Sequence, residues 1–235
     1  MAARMKICVM SDVVRICIVG STGLTGYSLI ERAVSRSDVR IVGVSRREVA
    51  LPYGARMEML LADPSGWPDA IAASNAQVLV CALGTTMAKV DKDEEAFRAV
   101  DHELVVSCAK AAKAAGIEHF ILISSAGADV LAKSFYLRVK GGVEEAVSRV
   151  RFRRFDILRP GLIRGPRKES RPLERLAMWL SPLIDLFLHG KYRKFRSVRV
   201  ETLCDAIFAL ARQKAGGRFI HDLDAMRYVI KRVGD

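Results

Sequence analysis

An α/β fold with a doubly wound parallel sheet, helices on both faces and a small C-terminal lid region is what this sequence predicts, on three observations. Apolar runs alternate with helical patterns along most of the chain. The runs are nearly continuous in Val, Ile and Leu, as in strands covered on both faces, rather than alternating with polar residues. The first of them opens through closely spaced glycines into a helix, in "ICIVGSTGLTGYSLIERA", residues 16–33.

The elements follow in order. Residues 14–20, "VRICIVG", read as a buried strand, and 24–36 as the helix after it. A second strand covers 39–45 and a third 56–63, with a short helix at 67–73. The fourth strand spans 76–84, and a long helix runs over 94–115 to Gly116, placed as a C-cap glycine. Residues 119–125 give a fifth strand, 135–150 a helix despite the Gly141–Gly142 pair, and 155–161 a sixth strand. After Gly161 the pattern changes to a basic, proline-containing stretch, an apolar segment at 173–188 and a last helix over 200–213. Residues 1–12 read as an N-terminal extension and 13–235 as one domain, with 162–199 as its lid.

Composition narrows the classes. Apolar residues make up 51% of the 235, enough for a buried core. The net charge is +12, with 38 Lys and Arg against 26 Asp and Glu. The basic residues are scattered and accompany no nucleic-acid-binding pattern, so an anionic ligand is expected and nucleic acid is not. Cys8, Cys17, Cys81, Cys108 and Cys204 form no CxxC pair, which predicts free thiols in a reducing compartment. The four histidines are dispersed, and no metal is expected. No apolar run approaches the roughly 18 residues that span a bilayer. The start of the chain has no signal-peptide core, so the cytoplasm is the expected location.

The glycine loop carries the first functional expectation. Gly20 permits a sharp turn, Gly23 a close approach of backbone to ligand, and Gly26 tight packing of helix on strand. Ser21, Thr22 and Thr25 add hydroxyl groups. The spacing is GxxGxxG rather than GxGxxG, but its place at the first strand–helix junction suits a pyrophosphate at a helix N-terminus. About 20 residues on, an acidic residue would bind the adenosine ribose. Here the second strand ends in Ser45, Arg46 and Arg47, and two guanidiniums suit a 2′-phosphate, so NADP(H) is expected over NAD(H). Glu48 would stand there instead if the strand ended later. Asp63, after the third strand, suits either the adenine amino group or a helix cap.

Further along, Tyr136 and Lys140 lie at i and i+4 on one helix face. Ser124 and Ser125 end the fifth strand, at the carboxyl edge where open α/β sheets bind ligands. An ammonium beside a phenol favours the phenolate, which suits a group that protonates a carbonyl oxygen while a serine hydroxyl holds it. The two serines stand 12 and 11 residues before the tyrosine and are equal candidates.

Together "GSTGLTG", "SRR", "LGTT", "ISSAGAD", "FYLRVKG", "LRPG" and "ESRP" resemble the short-chain dehydrogenase superfamily, and within it the atypical, Tat-interacting-protein-like branch. The similarity runs over about residues 14–213. It implies a Rossmann domain that binds NADPH through Ser21, Thr22, Gly23, Leu24 and Thr25, with Arg46 and Arg47 at the 2′-phosphate. It also implies Leu83 and Gly84 beside the cofactor, Tyr136 as proton donor, Lys140 on the nicotinamide ribose, and Ile163 and Arg171 closing over it. The expected activity is hydride transfer to or from a small carbonyl or alcohol substrate. The alternative is an NADP(H)-dependent sensor with little turnover that acts through a protein partner, and self-association also stays open. Residues 172–196, with Trp179, Leu180 and Phe187, read as a lid favouring an apolar substrate, in preference to a membrane-surface helix.

Overall fold

The computed structural model describes residues 13–166, 185 and 188–234. Strand β1 (Val14–Val19) leads through the glycine loop into α1 (Leu24–Ala33), and β2 (Val39–Ser45), β3 (Met57–Leu61), α2 (Trp67–Ala73) and β4 (Val78–Cys81) follow. The expected long helix winds in three parts: α3 (Glu94–Arg98), a π-helix (Ala99–Leu104) and α4 (Val105–Ala114). Next come β5 (His119–Ile123), α5 (Phe135–Ser148), β6 (Arg154–Leu158) and the short β7 (Ile163–Arg164). A 3₁₀ segment (Gly190–Phe195), β8 (Val198–Arg199), α6 (Val200–Ala211), β9 (Gly217–His221) and α7 (Leu223–Gly234) complete the described elements.

Seven strands form one parallel sheet in the order β3-β2-β1-β4-β5-β6-β9, and β7 pairs with β8 apart from it. The doubly wound α/β fold is therefore as expected, with one more strand than the sequence pattern gave. Successive side chains of a strand face opposite ways. Ile16, Ile18, Val80 and Ile121 accordingly pack with Leu29 of α1 and Leu203 and Ile207 of α6. Cys17, Val19, Leu79 and Phe120 pack with Ile71 of α2, Ala109 of α4 and Val143 of α5. Both faces are covered, which is why the strands read as unbroken apolar runs.

Two glycine features of the sequence have local causes. Gly116 caps α4 at φ +79, in the left-handed region. Gly141 sits in α5 because a side chain there would collide with the backbone of Asp129 and Val130, so the helix gives up propensity for close approach of that loop. The strand order reverses between β1 and β4, and in such sheets the carboxyl ends of the two strands part there and leave a crevice.

Candidate functional site

The crevice is built from the glycine loop, the segment after β4 and the start of α5. Gly20 adopts φ +89, and a Cβ on it would stand 2.7 Å from the carbonyl carbon of Ala82 and 2.9 Å from the Leu83 nitrogen. The loop is thus pressed against the end of β4 and needs glycine for both reasons. A Cβ on Gly26 would run into the Gly20 carbonyl, so this residue seats α1 against the loop. Gly23 differs: its φ is −75, and a Cβ would stand 3.4 Å from the Gly20 oxygen and 4.0 Å from the Ala82 oxygen, ordinary contact distances. Among the described residues no contact or backbone angle requires glycine at 23, and its exposed position leaves the helix start open to a ligand.

Gly23 caps α1 without a side-chain hydrogen bond, and the first turn of α1 holds no acidic residue. The amides of Leu24, Thr25 and Gly26 have no intrahelical acceptor, so donors and the positive end of the helix face the crevice. The residues present therefore fit a pyrophosphate. The hydroxyls are less free than their spacing implied. Ser21 is fully buried and its Oγ donates to the Val44 carbonyl at 3.2 Å, and Thr25 is buried as well. Thr22 is exposed.

Strand β2 ends at Ser45, which puts Arg46 and Arg47, and not Glu48, at its tip. The Ser45 hydroxyl donates to the Arg47 carbonyl at 2.7 Å and accepts from the Arg47 amide at 3.1 Å, fixing the turn. Both guanidiniums are exposed, and neither has a partner among the described residues. Asp63 is exposed and precedes the 3₁₀ turn at 64–66, with no capping bond from its side chain. Leu83 is half-buried against the core, Gly84 is exposed, and Ile163 on β7 packs on the core face shared with α1 and α6. Arg171 and residues 167–184 lie outside the described residues, as do Phe187 and the N-terminal extension.

Tyr136 is the second residue of α5, half-buried, with its ring 5.7 Å from that of Phe97. Lys140 is buried, and its Nζ lies 5.9 Å from the Tyr136 ring centre and 3.9 Å from where a Cβ of Gly84 would stand. The same Nζ is 2.6 Å from Oδ1 of Asp101, which is fully buried and whose Oδ2 accepts the Thr85 amide at 2.7 Å. Burial alone would lower the Lys140 pKa, but the Asp101 carboxylate and Tyr136 outweigh it and raise it above the usual lysine value.

The two serines separate. Ser124 is buried and its Oγ donates to Oε1 of Glu144 at 2.5 Å. Glu144 is held in turn by Arg159, whose Nε donates to Oε1 at 3.0 Å. The Ser125 hydroxyl makes only a 3.5 Å contact with the Ala126 carbonyl and is half-exposed. Ser125 is the serine with a hydroxyl to spare. Gly20, Leu83, Gly84, Lys140 and Tyr136 are thus joined by direct approaches.

Asp101 and Glu144 were not legible as site residues. Within a helical pattern a carboxylate reads as a solvated face, whereas Asp101 lies buried in the π-helix. Of the five cysteines, the four described ones are buried free thiols. Burial pushes Cys17 up to about 11 and Cys81 up to about 12, so neither is a thiolate nucleophile at neutral pH. Among the described residues no group of three or more potential metal ligands occurs, and no helix is long and apolar enough to cross a membrane. A cleft of about 390 Å³ lies at the amino ends of β2 and β3, lined by Val34, Arg36, Arg56 and Met57. It is at the opposite edge of the sheet from the crevice.

Comparison with known proteins agrees with this geometry. The model of a family described as NAD(P)H-binding matches residues 20–167. A protein named fmp52, mitochondrial, from Emericella nidulans is 36% identical over 173 residues, covering 71% of this chain and 74% of its own. Its counterpart from Debaryomyces hansenii is 38% identical over 159 residues, covering 65% and 68%. Among solved structures, the Bordetella bronchiseptica enzyme WbmH in complex with NAD+ superposes with a TM-score of 0.68 at 16% identity, covering 94% of this chain and 80% of that one. UDP-glucuronic acid 4-epimerase from Bacillus cereus, in complex with NAD, gives 0.64 at 14% identity over 89% and 78%. These likenesses show the Rossmann fold, and the resemblance to the short-chain dehydrogenase superfamily stands. The expected cytoplasmic location does not: the relatives carry mitochondrial names. Free thiols such as the four described ones fit any reducing compartment, and they cannot tell cytosol from the inside of an organelle.

Proposed function

The chain belongs to the NAD(P)H-binding family, and on that premise we propose that it is an NADPH-dependent oxidoreductase that reduces a carbonyl, or oxidises the corresponding alcohol, in association with mitochondria. The observation that carries the reading is the juxtaposition of Tyr136 and Lys140 with Gly84 at the carboxyl edge of β4, beside an uncapped helix start.

When bound, the nicotinamide supplies or accepts a hydride. The amides at the start of α1 hold the pyrophosphate, and the open surface at Gly23 lets it approach. Arg46 and Arg47 take the 2′-phosphate, with Asp63 near the adenine. Leu83, Gly84 and Ile163 would line the cofactor. The Tyr136 hydroxyl gives its proton to the carbonyl oxygen as the C–H bond forms, and takes it back in the oxidative direction. Lys140 holds the ribose. Ser125 donates to the same oxygen, since the Ser124 hydroxyl is committed to Glu144.

The test is to mix purified protein, NADPH and a panel of aliphatic and aromatic aldehydes and ketones, and to follow NADPH absorbance. Oxidation dependent on one class of carbonyl supports the reading. Tight NADPH binding without oxidation across the panel contradicts it and favours the sensor.

A further inference from the structure

The helix spanning 94–114 is interrupted by a π-helix at Ala99–Leu104. Such turns are uncommon and concentrate at functional sites. Here the widened turn carries Asp101, a residue with no exposed surface, against Lys140. Apart from that ammonium, Oδ1 of Asp101 has no partner among the described residues. Oδ2 accepts the Thr85 amide in the loop that follows β4. A buried ion pair is a poor device for stability, because desolvation of both charges offsets their attraction. Its place, rather than its strength, gives it a use.

We propose that Asp101 is a positioning residue for the nicotinamide end of the site, acting through Lys140. One oxygen fixes the ammonium beside Gly84, and the other ties the Thr85 loop to the same point. The inference rests on the dinucleotide reading above. The titratable groups facing Lys140 are Asp101 from the π-helix, Tyr136 from its own helix and Cys81 from the end of β4. Glu144, one turn further along α5, is taken up by Ser124 and Arg159 and does not compete for it. Burial disfavours an ammonium, so Lys140 depends on the Asp101 carboxylate to stay charged in place. The adenosine half, held by the α1 amides and Arg46 and Arg47, owes nothing to this carboxylate.

Asp101→Asn keeps the side-chain shape and an acceptor for Thr85 and removes the charge. Its affinity is measured for NADPH and for 2′,5′-ADP, a probe that carries the adenosine half alone. The expected result is at least about tenfold weaker NADPH binding, the scale of one lost charge-assisted hydrogen bond, with 2′,5′-ADP unchanged within about twofold. Equal losses for both probes, or none for either, overturn the inference, since a merely structural role cannot discriminate between the halves of one ligand.

If the single variant does not fold, the pair Asp101→Asn with Lys140→Met, which removes both charges, is compared with Lys140→Met alone. Equal NADPH affinity supports action through Lys140, and a further loss in the double variant overturns it. Unsubstituted protein that binds neither probe removes the dinucleotide reading itself, and the inference with it.

Discussion

The Oγ of Ser124 donates to Oε1 of Glu144, so the two serines that follow β5 differ in their contacts. Ser124 fastens the strand end to α5, in a network that Arg159 completes. Ser125, its neighbour, makes only a 3.5 Å contact with the Ala126 carbonyl, which leaves its hydroxyl available for the proposed reaction. Ser125→Ala is expected to reduce turnover about a hundredfold while leaving NADPH affinity unchanged. Ser124→Ala is expected to leave the chemistry and cost about 0.5–1.5 kcal/mol in stability, because Oε1 of Glu144 loses one hydrogen bond and keeps the one from Arg159. Denaturant unfolding and NADPH oxidation, run on both variants, check the division.

The glycines of the loop are expected to respond to alanine in two ways. Gly20 and Gly26 would drive a methyl group into backbone, at Ala82 and at Gly20 itself, so those variants fail to fold or melt far below the parent. Gly23→Ala meets nothing closer than 3.4 Å and has an ordinary φ, so it folds and loses cofactor affinity instead. Circular dichroism with an NADPH titration separates the cases. Unimpaired binding by Gly23→Ala would falsify the close approach at that residue.

Arg46→Asp with Arg47→Ala is expected to weaken NADPH by about tenfold or more and NADH much less, on the scale of charge-assisted hydrogen bonds to phosphate. Fluorescence titration with each cofactor reads the ratio. Equal losses for both would remove the 2′-phosphate role and leave a basic turn.

Acid should loosen the edge of the sheet. Asp156 of β6 accepts from Nε2 of His119 and Nε2 of His221 at 2.7 Å each and from Arg154 at 2.6 and 2.9 Å. Burial would raise the Asp156 carboxyl, but its hydrogen bonds to His119, His221 and Arg154 hold it well below the carboxylate range. Burial lowers His119 beneath its ordinary value, and the pull of Asp156 does not offset this. Both groups are depressed in the folded state, so both contributions are full above the unfolded values and lost as pH falls. The urea midpoint is expected to be level near neutrality and to fall from about pH 6.5 downward through His119, then more steeply below about pH 4 through Asp156. Asp156→Asn is expected to cost about 3–5 kcal/mol at neutral pH, since it strands a buried guanidinium, and to flatten the acid limb.

The parts of the fold legible in the sequence are those with strong periodicity. Strand β2 and helix α2 fall where the pattern put them, at 39–45 and 67–73, because Val and Ile runs and a Pro-led helix start are local signals. Strand β9 was missed: "GRFIH" at the sheet edge is mostly exposed and carries no apolar run. The amphipathic helix α7 after it is rich in charge and was passed over for the same reason. In the site, residues tied to a motif were legible, since the Gly20, Arg46 and Tyr136 environments follow from spacing along one element. Asp101 and the Ser124–Glu144 bond were not. Each depends on which way a side chain turns across 39 or 20 residues of separation, which local pattern does not encode.

The central claim is that Tyr136 delivers a proton at an NADPH site. It is tested most directly by comparing the parent protein with Tyr136→Phe in the same two assays, NADPH titration and NADPH oxidation with a carbonyl that the parent reduces. The account predicts equal NADPH affinity and a turnover lowered by roughly 10²–10⁴-fold. Turnover unchanged in the phenylalanine variant would contradict it.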